Sequence, residues 1–432
     1  MHGTSPIVIS EKVGKAVRTC LVFLSLGIAM PALAEPDRWE FRFTGKGDGT
    51  PVTAAETYDP AKGYGFEPGF APDGDKPFLF SVKVPEGNYR VTVTLGDAKA
   101  KARTSVKAES RRLMLWGVET GKGRFDTRSF IVNVRTTSLP PPPQNAPGGT
   151  AVRINEREVG KLHWDDKLTL EFADKAPRVA AVRVEKVDVP TVYLAGDSTV
   201  TDQPAEPGAS WGQMLTSMLT PDIAVANHAE SGETMKSFIT GLRLDKILSS
   251  IKAGDTLFIQ FGHNDSKAAW PQTYVDAAST YPAYLRVFIA EARRRGAVPV
   301  LITSPHRRTF DATGQITNSH GDYPDAVRRV GREEGVAVID LNAMSKDVYE
   351  ALGPDIAPRA FSNGGKDPTH HNNYGAWLLA RAVVAGIAAS DLPLKSHIRP
   401  DLPPFDPRHP PGPDTLILPE SPIRSDLTPR GN

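Results

Sequence analysis

Five short apolar runs, separated by segments of helical periodicity, constrain the fold of this 432-residue chain more than any other feature. The runs lie at residues 192–195, 223–226, 256–261, 298–303 and 336–341. Segments 284–295 and 323–334 show the helical spacing of apolar residues. Buried strands that alternate with helices predict an α/β domain with a five-stranded, doubly wound parallel sheet.

Polar residues follow three of these runs where the predicted strands end. Gly196-Asp197-Ser198 follows the first run, a loop containing Gly232 follows the second, and Gly262-His263-Asn264-Asp265 follows the third. Open α/β sheets bind ligands at the carboxyl edge of their strands. We therefore expect Ser198, Gly232 and Asn264 to lie close together.

These residue types suit nucleophilic catalysis. A serine hydroxyl such as that of Ser198 needs a neighbouring imidazole to take its proton, and we assign that role to His370. Asp367, three residues earlier, can orient the imidazole and stabilise its charged form. The N–H groups of Ser198 and Gly232 and the side-chain amide of Asn264 can form an oxyanion hole.

The same residues resemble the four blocks of the SGNH (GDSL-type) hydrolases, with Ser198, Gly232, Asn264 and His370 at the named positions. Residues 196–200 (Gly-Asp-Ser-Thr-Val), 210–213 (Ser-Trp-Gly-Gln), 367–370 (Asp-Pro-Thr-His) and 374–376 (Tyr-Gly-Ala) resemble rhamnogalacturonan acetylesterases in particular. The resemblance implies a three-layer, flavodoxin-like domain that hydrolyses esters without a cofactor. It also favours His370 over the neighbouring His371 as the base.

One block departs from the pattern of the close relatives, which follow the second-block glycine with arginine and serine. This chain has Glu233 and Thr234 there, and we expect an acidic Glu233 near the cleft to repel a galacturonate-rich polymer. Trp211, His263 and Glu233 are the predicted substrate contacts. A core position for Trp211 and a hydrogen-bonded structural role for His263 are the alternatives. His228 and His306 are predicted to be structural.

Residues 35–188 differ in texture from the rest of the chain. They contain β-rich runs at 39–43, 78–84, 89–95, 130–134, 168–172 and 179–184, with turn residues between them. This pattern predicts a β-sandwich domain, and it resembles the galactose-binding-like modules of some carbohydrate esterases. The domain either binds sugar or packs as one wall of the cleft. Residues 140–143, four prolines, mark a long exposed loop inside it, or else a linker.

The two ends of the chain are predicted to lie outside the folded domains. A basic region, an apolar stretch at 19–30 and Ala32-Leu33-Ala34 predict a signal peptide over residues 1–34 and a periplasmic or extracellular protein. The chain's single cysteine, Cys20, lies inside that segment. The hydrolase domain is expected over 189–393, followed by a proline-rich tail over 394–432 that is extended or disordered.

The composition and the motifs limit the kinds of partner that are expected for this chain. A formal net charge of +1 gives no field that would recruit nucleic acid, and no later segment predicts membrane insertion. No metal-ligand spacing or nucleotide-binding loop appears, so neither a metal nor a cofactor is expected. The expected partner is an acetylated polysaccharide or oligosaccharide, first rhamnogalacturonan, and the oligomeric state is left open. Acetylxylan or another short-chain ester is an alternative substrate, and a non-catalytic carbohydrate-binding protein is the alternative of a different class.

Overall fold

The computed structural model describes residues 37–45 and 48–427, and from Asp37 onward the chain forms one compact unit. The predicted signal peptide, residues 1–34, lies outside the described residues, so its cleavage and the export that it implies stay predictions. Along the stretches that the structure describes, no helix is both long and apolar enough to cross a bilayer. The proposed domain boundaries at 188 and 393 also stay predictions.

The first part of the compact unit is built from two five-stranded sheets. Their strands are β1 (Arg38–Arg42), β2 (Thr50–Pro51), β3 (Tyr64–Phe66), β4 (Phe78–Lys83), β5 (Gly87–Asp97), β6 (Ala102–Ala108), β7 (Arg112–Thr120), β8 (Arg124–Val134), β9 (Lys167–Ala176) and β10 (Val179–Val187). The sheet orders are β2-β1-β10-β5-β8 and β3-β4-β9-β6-β7. Phe41, Val91 and Val132 of one sheet share a core with Phe80 and Leu170 of the other. The two-layer β architecture agrees with the sequence, whereas the galactose-binding-like type stays a prediction.

The second part contains the predicted parallel sheet. Its strands are β11 (Thr191–Gly196), β12 (Ala224–Asn227), β13 (Thr256–Gln260), β14 (Val298–Ile302) and β15 (Ala337–Ile339), in the order β12-β11-β13-β14-β15. All neighbouring pairs are parallel. Gly196 pairs with Gln260, and Leu194 pairs with Asn227, so the carboxyl ends of the three neighbouring strands β12, β11 and β13 meet at one edge. This order is that of a flavodoxin-like sheet, and the prediction of a five-stranded parallel sheet is confirmed.

Helices cover both faces of this sheet. They are α1 (Trp211–Leu215), α2 (Met235–Thr240), α3 (Arg243–Leu248), α4 (Thr280–Arg294), α5 (Tyr323–Glu334), α6 (Leu341–Ile356) and α7 (Asn373–Ala388). Trp211 and Leu378 belong to the apolar core on one face, and Phe238, Phe288 and Val327 belong to the core on the other. Helix α4 begins at Thr280 rather than 284, because Pro282 is tolerated in a first helical turn.

Buried arginines of the first part hold loops of the second. The Arg112 guanidinium is fully buried and donates to Asp202 Oδ2 at 2.7 Å. Arg111 donates to the backbone oxygen of Gly208 at 2.7 Å, and Arg135 donates to the backbone oxygen of Asn227. A buried charge of this kind is stable only when it is paired. The loop that follows β11 and the carboxyl end of β12 are therefore fixed from outside their own sheet.

The segment after α7 crosses the surface without strand or α-helix over residues 398–427. Leu416 and Leu418 are buried against the core of the parallel-sheet part. The Ser421 hydroxyl donates to Glu171 Oε2 at 2.6 Å, which ties this segment to strand β9. The proline-rich segment is thus extended and anchored at a few side chains.

Candidate active site

The turn that presents Ser198 begins directly after strand β11. The backbone oxygen of Asp197 accepts hydrogen bonds from the N–H groups of Val200 (3.0 Å) and Thr201 (3.1 Å). Asp197 Oδ1 also accepts from the Thr199 N–H at 3.0 Å. A Cβ atom on Gly196 would lie 2.8 Å from the backbone oxygen of Gln260, so only glycine allows this close approach. The turn (residues 196–201, the serine turn) is therefore fixed on both sides of Ser198.

Ser198, His370 and Asp367 form a continuous hydrogen-bonded line. Ser198 Oγ lies 2.8 Å from His370 Nε2, and His370 Nδ1 lies 2.8 Å from Asp367 Oδ2. The backbone N–H groups of Thr369 and His370 donate to Asp367 Oδ1 at 2.7 and 2.9 Å. Burial tends to raise the pKa of Asp367, but these bonds and the imidazole hold it well below its usual range. A charged carboxylate thus faces the imidazole that contacts the serine hydroxyl.

His371, the alternative base, points elsewhere. Its Nε2 shares a 2.7 Å hydrogen bond with the Tyr349 hydroxyl, and its ring packs 4.6 Å from that of Phe361. Burial lowers the pKa of His371 to about 3, so the ring stays neutral at physiological pH. The structure brings His370, and not His371, to Ser198.

The loops after β12 and β13 place Gly232 and Asn264 on the same edge. Gly232 has φ +84°, a left-handed conformation that favours glycine. One N–H of the Asn264 amide donates to the backbone oxygen of Glu233 at 3.1 Å, and Asn264 Oδ1 accepts from Lys267 Nζ at 3.2 Å. Because the amide nitrogen carries two hydrogens, a second donor is present on Asn264.

Asp265 joins these two loops. It is fully buried, and its carboxyl oxygens accept from the backbone N–H groups of Met235 and Gly262, each at 2.9 Å. Burial, together with the negative charge of Asp197, raises the pKa of Asp265 to about 7. No role is predicted for this residue from the sequence, although it lies next to Asn264.

We expect the free energy of unfolding to depend on pH because of this raised pKa. The folded chain binds the Asp265 proton more tightly than the unfolded chain, so its contribution is present below about pH 4 and lost as pH rises to about 7. Asp265→Asn removes the titration. The gap, meaning the unfolding free energy of the wild type minus that of the variant, should therefore fall by about 1 kcal/mol for each unit that pH rises across that window. Urea unfolding at a series of pH values measures it. The exposed control Asp245→Asn should keep the wild-type pH dependence, and a constant gap for Asp265→Asn would contradict the assignment.

The sequence left a core position and a substrate contact open for Trp211, and the structure places it in the core rather than at the cleft. Its side chain is fully buried, and its indole Nε1 donates to Gln260 Oε1 at 2.8 Å. The ring packs near Phe258 in the core. Trp211 begins the short helix α1, whose residues are all buried. The alternative interpretation of Trp211, a core residue, describes its position.

His263 lies behind the serine turn. Its Nδ1 is 3.3 Å from Asp197 Oδ2, and its ring contacts the ring of His320 at 4.4 Å between centroids. The side chain is buried, and burial lowers its pKa despite the carboxylate. This environment matches the alternative of a hydrogen-bonded structural histidine. His228 and His306 are also buried.

Glu233 is paired rather than isolated, which modifies the expected repulsion of an acidic polymer. Glu233 Oε2 accepts from the Ser237 hydroxyl at 2.5 Å, and Oε1 lies 3.4 Å from Nε of the buried Arg243. The same Arg243 also pairs with Glu158, which belongs to the loop between β8 and β9. Arg243 therefore lies between two carboxylates, and its single positive charge is shared between Glu158 and Glu233.

A groove of about 1090 Å³ adjoins Asp367. It is lined by parts of segments 154–161, 203–208, 362–368 and 425–427. The first of these segments comes from the β part of the molecule. The sequence offered a β domain that packs as one wall of the cleft, but nothing in residues 154–161 indicates that they are the segment that does so.

Three possible metal ligands also gather beside this groove. The ligand atoms of Glu158, His163 and Glu230 lie within 4.8 Å of one another and are buried. Arg243 pairs with Glu158, however, and Arg157 Nε lies 3.2 Å from Glu230 Oε1. Guanidinium groups therefore supply the positive charge at these carboxylates.

A hydroxyl, an imidazole and a carboxylate aligned at the carboxyl edge of a parallel sheet define the class of serine hydrolases by geometry. Residues 194–378 match the GDSL-like lipase/acylhydrolase family. The rhamnogalacturonan acetylesterase RhgT of Bacillus subtilis is 41% identical over 220 residues, which cover 48% of this chain and 93% of that protein. The chain belongs to the GDSL-like lipase/acylhydrolase family.

A longer similarity reaches into the β part. The uncharacterized esterase YxiM of Bacillus subtilis is 29% identical over 389 residues, which cover 83% of this chain and 92% of that protein. A solved structure of the Bacillus subtilis YxiM protein has 27% identity and a TM-score of 0.46, covering 81% of this chain and 98% of that one.

Proposed function

We propose that this protein is a secreted serine esterase that removes O-acetyl groups from rhamnogalacturonan. The observation that carries the proposal is the hydrogen-bonded line from Ser198 Oγ through His370 to Asp367, with 2.8 Å at both contacts. Similarity to a rhamnogalacturonan acetylesterase over 93% of its length supports the substrate. The signal-peptide pattern of residues 1–34 supports secretion.

In the acylation step, Ser198 Oγ attacks the acetyl carbonyl carbon while His370 Nε2 takes the hydroxyl proton. Asp367 keeps the other imidazole proton on Nδ1 and stabilises the imidazolium. The tetrahedral intermediate then collapses: the bond from carbon to the sugar oxygen breaks, and His370 returns the proton to that oxygen. The products of this step are the deacetylated sugar and an acetyl ester on Ser198.

In the deacylation step, a water molecule gives a proton to His370 Nε2 and attacks the acetyl-serine. The bond from the carbonyl carbon to Ser198 Oγ breaks, and His370 returns the proton to that oxygen. Acetic acid leaves and loses its own proton to solvent as acetate. In both steps the carbonyl oxygen becomes an oxyanion, for which the N–H groups of Ser198 and Gly232 and the second amide hydrogen of Asn264 are the proposed donors. Loss of one such donor typically lowers the rate about 100- to 1,000-fold.

Basic side chains around this line support an acidic polymer as substrate. Lys267 contacts Asn264, and Arg307 donates to the backbone oxygen of His263 at 3.2 Å. Lys366 is exposed and adjoins Asp367 in the chain. The positive charge of these side chains suits the carboxylates of galacturonate units.

The proposal predicts selective acetate release. Purified protein should release acetate from acetylated rhamnogalacturonan faster than from acetylated homogalacturonan or acetylated xylan, as measured by an enzymatic acetate assay. Faster release from acetylated xylan would mean that the protein is an esterase whose substrate is acetylated xylan rather than rhamnogalacturonan. If binding to the polysaccharide persists while no ester is cleaved, the protein is a carbohydrate-binding protein instead.

A further inference from the structure

Arg157 reaches from the β part into the surroundings of Ser198. It lies in the loop between β8 and β9, and about a fifth of its side chain, 21%, is exposed. Its Nη2 donates to Gln203 Oε1 at 2.8 Å, and its Nε lies 3.2 Å from Glu230 Oε1. One planar guanidinium thus spans two residues on different loops of the parallel-sheet part.

Gln203 connects this guanidinium to the serine turn. Gln203 Nε2 donates to the backbone oxygen of Ser198 at 2.8 Å and lies 3.4 Å from the Ser231 hydroxyl. The amide has one carbonyl oxygen and one NH₂ group, and Arg157 determines which of them faces the serine. With its oxygen held by Arg157, Gln203 must present its NH₂ group to Ser198.

Glu230 connects the same guanidinium to the loop of Gly232. Its Oε2 accepts from the Thr201 hydroxyl at 3.2 Å, and its backbone oxygen accepts from the Glu233 N–H at 3.3 Å. Its backbone N–H donates to the Gly196 oxygen at 3.2 Å. Glu230 therefore bridges the serine turn and the proposed oxyanion loop.

The loop that carries Arg157 is itself held in place. Glu158 Oε1 accepts from the Trp164 indole at 2.8 Å, and Glu158 Oε2 accepts from the buried Arg243 of helix α3. The N–H of Arg157 donates to Asn155 Oδ1 at 3.2 Å. Because its loop is fixed, Arg157 can hold Gln203 and Glu230 in fixed positions.

We propose that Arg157 is a positioning residue for hydrolysis, supplied by the β part, which sets Ser198 through Gln203 and the Gly232 loop through Glu230. This inference rests on the proposed function in one respect: the reaction that Arg157 assists is ester hydrolysis at Ser198. It gives the β part a role in the reaction that does not require it to bind sugar. A misplacement of about 1 Å at a reacting group lowers a rate about 100-fold, which is the size of the effect expected here.

The test uses the full chain, with kcat and KM measured on 4-nitrophenyl acetate, a substrate too small to fill the groove. Arg157→Ala should lower kcat about 100-fold with little change in KM. Its thermal midpoint should also fall, because the buried Glu230 loses its ion-pair partner. Arg157→Lys should recover only part of the loss, because one ammonium cannot reproduce both contacts. The matched control is Arg153→Ala, which removes an exposed guanidinium from the same loop and should behave as wild type.

A double-mutant cycle separates positioning from general support of the fold. If Arg157 acts through Gln203, the variant Arg157→Ala with Gln203→Met should be no slower than the slower single variant. The inference is overturned if the two losses in kcat multiply in the double variant. It is also overturned if Arg157→Ala folds and keeps the wild-type kcat. If Arg157→Ala fails to fold, Arg157→Lys and Gln203→Met still decide it.

A second readout keeps this inference distinct from the proposed function. The rate at which an organophosphonate modifies Ser198 depends on the serine and its base, and not on the natural ester. This rate should fall in parallel with kcat in Arg157→Ala, and an unchanged rate would overturn the role of Arg157. Failure of the wild type to release acetate from any polysaccharide would defeat the proposed substrate alone.

Discussion

Ser198→Ala is expected to lower acetate release on the order of a million-fold, to a level near the background rate. The variant loses the oxygen that forms the acetyl ester, and no other hydroxyl occupies the position 2.8 Å from His370 Nε2. The thermal midpoint should change little, because the serine turn is held by Asp197 and Thr199 rather than by the Ser198 hydroxyl. Acetate release and thermal unfolding, measured on the same preparation, check both parts.

Ser266→Ala is the matched control for this change. It also removes a hydroxyl near the site, one that donates to the backbone oxygen of His263 at 3.3 Å, and it should keep most of the activity. A folded Ser198→Ala variant with wild-type acetate release would contradict the assigned nucleophile.

Asp367→Asn is expected to lower kcat about 10,000-fold while the protein stays folded. The asparagine oxygen would stay with the N–H groups of Thr369 and His370, which need an acceptor. Its NH₂ group would then face His370 Nδ1 and force that nitrogen to accept a hydrogen bond. The imidazole proton would move to Nε2, where it prevents His370 from taking the Ser198 proton. Steady-state kinetics on an acetyl ester measure the loss.

The surface supplies a control with the same pair of residue types. Asp222 Oδ1 lies 3.0 Å from His397 Nδ1, and the Asp222 side chain is 61% exposed. Asp222→Asn removes a carboxylate from a histidine far from the proposed chemistry and should leave kcat at the wild-type value. Equal losses for the two variants would mean that Asp367 has no special role.

The parallel sheet could be predicted because its strands are buried on both faces and read as uninterrupted apolar runs. Helix Tyr323–Glu334 matched its predicted bounds, since its apolar spacing is regular and it ends at Gly335, which has φ +58°. Ser198 and Asn264 could be placed at one edge because each directly follows a neighbouring strand. Asp367 and His370 are three residues apart, so their contact is local.

Other features depend on contacts that a sequence does not display. Strand β7 (Arg112–Thr120) was not among the predicted runs, and its first residue, Arg112, is polar yet fully buried against Asp202. The residue type of Trp211 left both a core position and a substrate contact open, and packing places it in the core.

Contacts between side chains of different segments determine the surroundings of the site in the same way. Glu233 pairs with Arg243, and Arg157 donates to Gln203. Each contact joins segments that are separated in the chain. Only the folded arrangement reveals that Glu233 lies beside a guanidinium, which it shares with Glu158.

The central claim is that Ser198 is the nucleophile of a polysaccharide deacetylase. Its most direct test is to treat the full chain with an organophosphonate that modifies activated serines, with and without acetylated rhamnogalacturonan, and to map the labelled peptide by mass spectrometry. We predict a label on Ser198 that forms more slowly when the polysaccharide is present and is absent from His370→Ala. A label at another residue, or no label on Ser198 in protein that releases acetate, would contradict the claim.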